Sequence, residues 1–85
     1  MIEVRCLGHI ATSLGTKNIS LEAESLTCVE LVERVRRLSK EDDPGFTVYN
    51  TLLIVEEGEA GVAAGHAAKL KDGQRVVLVP VSHGG

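Results

Sequence analysis

The chain has no tryptophan, one phenylalanine, one tyrosine and one methionine. Any core it builds must therefore be aliphatic, drawn from Val, Leu, Ile and Ala. Nucleic-acid binding is not indicated either, because no basic stripe interleaves with aromatics. The nine basic residues are scattered, Arg34, Arg36 and Arg37 form the one cluster, and the net charge is −3. The two cysteines, Cys6 and Cys28, are far apart and make no C-x-x-C, so they read as small buried hydrophobes rather than a redox pair or a disulfide. The three histidines lack metal-ligand spacing, so no metal site is expected. The acidic run Glu41-Asp42-Asp43 reads as a solvated loop. With no leader-like segment and no apolar run of membrane-spanning length, the sequence reads as cytoplasmic, without a membrane partner.

What is present is enough for one small domain. Eighty-five residues that are 44% hydrophobic point to a globular fold rather than disorder. A chain of this size buries roughly 60% or a little more of its unfolded surface. Met1 to Leu7 alternates, with Ile2, Val4 and Cys6 on one face and Glu3 and Arg5 on the other, as in a half-buried strand. Gly8 to Lys17 reads as a loop whose Ile10 and Leu14 tuck back. Asn18 to Glu24 alternates again, with Ile19, Leu21 and Ala23 inward. Strand, loop, strand suggests an antiparallel hairpin.

One helix is clear, over about residues 27–39. Thr27-x-x-Glu30 is a capping box, and Leu26 and Leu31 suit a hydrophobic staple around it. Cys28, Leu31, Val32, Val35 and Leu38 follow helical spacing and form an apolar stripe. Glu30 and Arg34 stand four apart in the favourable order. The three arginines suit the end of the helix dipole and otherwise form a solvated face.

The loop Glu41–Asn50 contains Pro44-Gly45, and its Phe46 and Tyr49 are expected to anchor it. Thr51 to Val55 is a strand apolar on both faces. Glu56 to Ala68 is hardest to read. Gly58, Gly61 and Gly65 argue against a helix at about 1 kcal/mol each. They match neither G-x-G-x-x-G nor a Walker sequence, so a nucleotide loop is rejected. A surface loop with a short strand or turn near Lys69-Leu70 is expected.

The last sixteen residues, LKDGQRVVLVPVSHGG, organise the rest. Asp72-Gly73 signals a turn, because glycine takes a positive φ without strain. Arg75 to Val81 reads as a buried strand, with pairing ended by Pro80 on at least one side. Ser82 to Gly85 reads as a thin, flexible arm reaching roughly 13 Å, at about 3.3 Å per residue. That divides the chain into a folded domain, 1–81, and a tail, 82–85. Inward Val76 and Leu78 leave Val77 and Val79 on the opposite face, with Val81 continuing the row. Valines exposed in a row suggest a partner surface, unless the Glu56–Ala68 loop covers them.

These residues resemble a known family. L-x-D-G, a strand and a closing Gly-Gly are the end of the ubiquitin-like sulfur carriers: the molybdopterin-synthase small subunit, the thiazole-synthesis carrier and the ubiquitin-related modifier. ISLEAESLTCVELV also resembles ubiquitin, where a strand runs into a helix at a capped threonine. The resemblance implies an α+β fold, the β-grasp, with a mixed four- to five-stranded sheet curled around the helix. It also implies that the first and last strands lie parallel in mid-sheet.

It further implies that the chain is no enzyme. The Gly85 carboxylate would be adenylated by a ubiquitin-activating-like adenylyltransferase using ATP, then converted to a thiocarboxylate. The chain itself would bind no cofactor. Gly84 would keep the arm slim, and His83 would sit at the mouth of the partner's channel, beside the row Val77, Val79 and Val81. Sulfur would pass toward a molybdopterin-type cofactor, through a synthase large subunit, or to a tRNA base, through a thiolating enzyme. Two alternatives stay open: a modifier conjugated through Gly85 to lysines of target proteins, and a plain interaction domain.

Overall fold

The computed structural model describes residues 1–81. In chain order they form β1 (Ile2–Cys6), α1 (Gly8–Leu14), β2 (Asn18–Leu21), β3 (Ser25–Thr27), α2 (Cys28–Arg37), a 3-10 turn (Val48–Asn50), β4 (Thr51–Glu57), β5 (Ala60–Ala63), β6 (Lys69–Lys71) and β7 (Arg75–Pro80). The main sheet has the order β2-β1-β7-β4-β5. β1 and β7 are parallel, with Val4 opposite Val76 and Cys6 opposite Leu78. β1–β2, β4–β7 and β4–β5 are antiparallel. The last long strand thus lies in the middle of the sheet, flanked on both sides. β3 and β6 form a separate two-stranded ribbon.

The alternation read in β1 holds, with Ile2, Val4 and Cys6 buried and Glu3 and Arg5 exposed. The same inner face receives Val76 and Leu78 from β7 and Leu53 and Val55 from β4. Against it lies α2, through Cys28, Leu31, Val32 and Val35. The helix begins as its capping box dictates. The Thr27 hydroxyl accepts from the Glu30 amide at 3.1 Å, and the Glu30 carboxylate accepts from the Thr27 amide at 2.9 Å. The Thr27 amide first, and then the Thr27 hydroxyl, hold the Glu30 carboxyl below its ordinary range. The helix stops at Arg37, short of 39, and Leu38 is its C-cap and half exposed instead of closing the stripe. Arg34 does not pair with Glu30, whose carboxylate is spent on the cap; it donates to the Glu22 carbonyl at 3.1 Å.

Three stretches depart from the sequence reading. Gly8–Lys17 is no simple loop, since α1 occupies most of it and buries Ile10, Ser13 and Leu14. Its N-cap, Leu7, offers no side-chain acceptor, and Gly15 ends it in the left-handed region at φ 74°. A seven-residue helix without a cap motif has no signature beyond its two inward residues. Gly8 takes φ 57°, and a Cβ there would come within 2.9 Å of Pro80 Cγ. Tyr49 does not anchor its loop. Phe46 alone does so, fully buried, while Tyr49 is 80% exposed. The segment after β4 is not a loose loop. Gly58, at φ 62°, supplies the positive φ of a two-residue hairpin that sends β5 back along β4.

Cys6 and Cys28 are free and buried. Burial pushes the Cys6 thiol from 9.0 up to about 11 and raises that of Cys28 as well. A buried, protonated thiol is a poor nucleophile. The native protein should therefore gain no mass from iodoacetamide at neutral pH and gain two labels once unfolded in guanidinium. The unfolded chain releases the Cys6 proton near 9.0, whereas the folded chain holds it to about 11. The folded state binds more protons across that window, so stability should decline as pH rises through it. Rapid native labelling of either thiol would contradict the burial.

Candidate functional site

The face of the sheet turned away from α2 takes the other half of each strand's side chains. Across its middle the register aligns Asn18, Arg5, Val77, Ile54 and Ala63. One step along, Leu52 stands opposite Val79. At the end where β7 begins, Glu3, Arg5, Asn18, Glu56 and Arg75 line a shallow polar depression. The face is therefore charged where β7 enters the sheet and apolar where β7 leaves it.

The apolar end is open. Val77 and Val79 are half-buried by their neighbours, Leu52 is 39% exposed and Val81 is 43% exposed. The segment after β4 runs beside that strand as β5 rather than across β7, so the alternative of a loop folded over the valines does not hold. Pro80 ends pairing on the β1 side, where the last bond runs from the Leu7 amide to the Leu78 carbonyl at 3.1 Å. Pairing continues on the β4 side through the Val81 amide, which donates to the Asn50 carbonyl at 2.9 Å. That bond fixes where the chain leaves the sheet. Beside it Tyr49 stacks edge-on against His66, with ring centroids 5.7 Å apart.

Of the residues singled out in the sequence, Val77, Val79 and Val81 are brought to one end of one face. His83, Gly84 and Gly85 lie outside the described residues. The sequence reading missed Leu52 and Ile54 as their companions. The signal was there, because a strand apolar on both faces has an outer half to place, and pairing with β7 puts that half beside the valines. Tyr49 and His66 carried no such signal. Among the described residues no group of three or more His, Cys, Asp or Glu lies together as a metal cage. No helix among them is long and apolar enough to cross a membrane.

A sheet of this order, with its terminal strands parallel at the centre and one main helix in its concave face, is the β-grasp fold of ubiquitin-like proteins. SAMP1 from Haloferax volcanii has it, at a TM-score of 0.63 and 17% identity, over 99% of this chain and 98% of that one. So does a chain of the BexX/CysO complex of Amycolatopsis orientalis, at a TM-score of 0.64 and 19% identity, over the whole of both chains. No family model matches the sequence, and no curated protein matches it.

Proposed function

We propose that this domain is a ubiquitin-like carrier that works through the carboxylate of Gly85, and that its first role is to carry sulfur. The observation that supports this most is the exit of β7. A mid-sheet strand, pinned through Val81, ends beside an open apolar surface, and in the sequence Ser82-His83-Gly84-Gly85 follows. The likeness in fold to CysO, a sulfur carrier, agrees with it.

The chemistry is acyl activation. A Gly85 carboxylate oxygen attacks the α-phosphorus of ATP on a partner adenylyltransferase. Pyrophosphate leaves, and the acyl-adenylate forms. Hydrosulfide then attacks the carbonyl carbon, a C–S bond forms, and AMP leaves with the electron pair of the broken C–O bond. The product is a thiocarboxylate, whose sulfur a synthase large subunit or a tRNA-thiolating enzyme could accept. The domain supplies no catalytic base; it presents the acid group and the surface that a partner grips. Val77, Val79, Val81 and His83 form that surface in this reading, with Leu52 and Ile54 added to it.

The likeness in fold to SAMP1, a ubiquitin-like small archaeal modifier, favours a second reading. The same adenylate, or a thioester made from it, would be attacked by a lysine amine to give an isopeptide bond.

Intact mass spectrometry separates the readings. Protein recovered from its own cells should end at Gly85. Incubation with its activating enzyme, ATP and sulfide should replace one carboxylate oxygen by sulfur. Ladders of conjugated proteins in the native cell, without that exchange, would replace the carrier by the modifier. A natural terminus beyond Gly85 that is never trimmed, or neither product, would leave an interaction domain.

A further inference from the structure

β5 is an edge strand, and every one of its four residues is exposed. Its hydrogen-bond phase is set by the Ala64 amide, which donates to the Leu53 carbonyl at 2.9 Å. In an antiparallel pair such bonded positions alternate. Ala60, Val62 and Ala64 therefore turn their main-chain groups to β4, and Gly61 and Ala63 turn theirs outward. Among the described residues no other backbone group takes these outward amides.

Natural edges are usually guarded by charge, proline or a bulge. The run Ala60–Ala68, AGVAAGHAA, has neither a charged residue nor a proline. The opposite edge, β2, differs: Lys17 and Glu22 flank it, and the Arg34 guanidinium holds the Glu22 carbonyl. Gly61 lets β5 lie close against β4, since a Cβ there would meet Ile54 Cγ2 at 2.7 Å.

The geometry points to a second copy of this chain as the occupant of that edge, paired antiparallel about a two-fold axis at Val62. The fit is self-complementary. Gly61 of each copy then faces Ala63 of the other, and their outward groups close four N–H···O bonds. Val62, 48% exposed, meets its own counterpart in the closer, unbonded pair, about 4.5 Å between Cα atoms. Charge allows it as well. The paired run Ala60–Ala64 carries no charge in either copy, and Glu56 and Glu57 lie one strand behind it on β4. Like charges do not face one another.

A contact of four small residues lies well below the roughly 800 Å² per partner of a stable interface. The dimer is accordingly a weak one, of the kind that small transient contacts make. Pairing about that axis makes a ten-stranded sheet with both outer faces on one side. The two β7 strands then stand about 24 Å apart, five spacings of about 4.8 Å. The inference rests on the edge alone and does not need the carrier reading.

Sedimentation equilibrium and amide NMR of the full chain, from about 20 µM to about 1 mM, test it by mass action. The weight-average mass should climb toward that of two chains, and the Gly61 and Ala63 amide signals should shift with concentration. Ala63→Pro removes an outward donor and leaves the ladder to β4 whole. Val62→Lys places charge at the axis with the backbone unchanged. Each variant should stay folded and monomeric over the same range; if Ala63→Pro disturbs the fold, Val62→Lys decides. A wild-type mass that stays at one chain, association that survives Val62→Lys, or shifts confined to the β7 face would overturn the proposal.

Discussion

Phe46→Ala should cost about 3–5 kcal/mol, the usual range for truncating a buried aromatic. A domain of this size has roughly 4–13 kcal/mol in total, at about 0.05–0.15 kcal/mol per residue. The loss is thus about a quarter of its stability or more, and at the lower end all of it. The reason lies in what the core is made of. There is no tryptophan, and the one tyrosine points into solvent, so Phe46 is the only aromatic ring among the buried residues. Its neighbours in the cluster are mainly Val, Ile and Leu, and the β-branched ones among them have few rotamers with which to reach into the vacated space. Phe46 follows buried Pro44, whose carbonyl accepts from Ser13 of α1, and it leads into the turn whose Asn50 holds the exit of β7. Urea unfolding followed by far-UV circular dichroism is the measurement. With a slope near 1 kcal/mol per molar, the midpoint should fall by about 3–5 M. Tyr49→Ala is the control and should stay within about 0.5 kcal/mol of the parent. A Phe46→Ala cost below that of Tyr49→Ala would mean that the ring is not part of the core.

That contrast between the two aromatics marks the limit of what the sequence revealed. Both sit in one loop, and composition alone suggests that both anchor it. Nothing local distinguishes them, because the choice is made by tertiary packing, which takes Phe46 into the core cluster and leaves Tyr49 outside it. The elements that were legible carry their own signatures: period-two alternation in β1, β2 and β7, and the reciprocal cap of Thr27 and Glu30 at the start of α2. Those that were not are short or glycine-rich. α1 has seven residues and no cap acceptor, and β5 is AGVA, a sequence without strand propensity that becomes a strand because β4 offers it a ladder. The parallel pairing of β1 with β7 was carried by resemblance alone, since a contact across more than seventy residues leaves no trace in periodicity.

Val79→Asp should separate fold from function. In β7 the residues alternate between two environments, and adjacent positions carry opposite predictions. Leu78 is wholly buried against α2, so a carboxylate there would lie in the core without a partner, and Leu78→Asp should not fold. Val79 looks the other way, half-buried, opposite Leu52. An aspartate at 79 keeps its charge in water and loses only the packing and propensity of a strand residue, about 1 kcal/mol. The melting temperature should therefore fall by about 4–8 °C, with a cooperative transition intact. Partner binding should suffer far more. A hot spot at the centre of an apolar contact is worth 2 kcal/mol or more, so affinity for the activating enzyme should drop by about 30-fold or beyond. ATP-dependent activation at fixed enzyme concentration should fall with it. Arg75→Ala, at the charged end of the same face, tests whether the whole face is gripped or only its apolar end. If Val79→Asp binds and is activated like the parent, the open valine surface is not where the partner sits. If it unfolds like Leu78→Asp, the outer face is core after all, and the chain has no free apolar end beside the exit of β7.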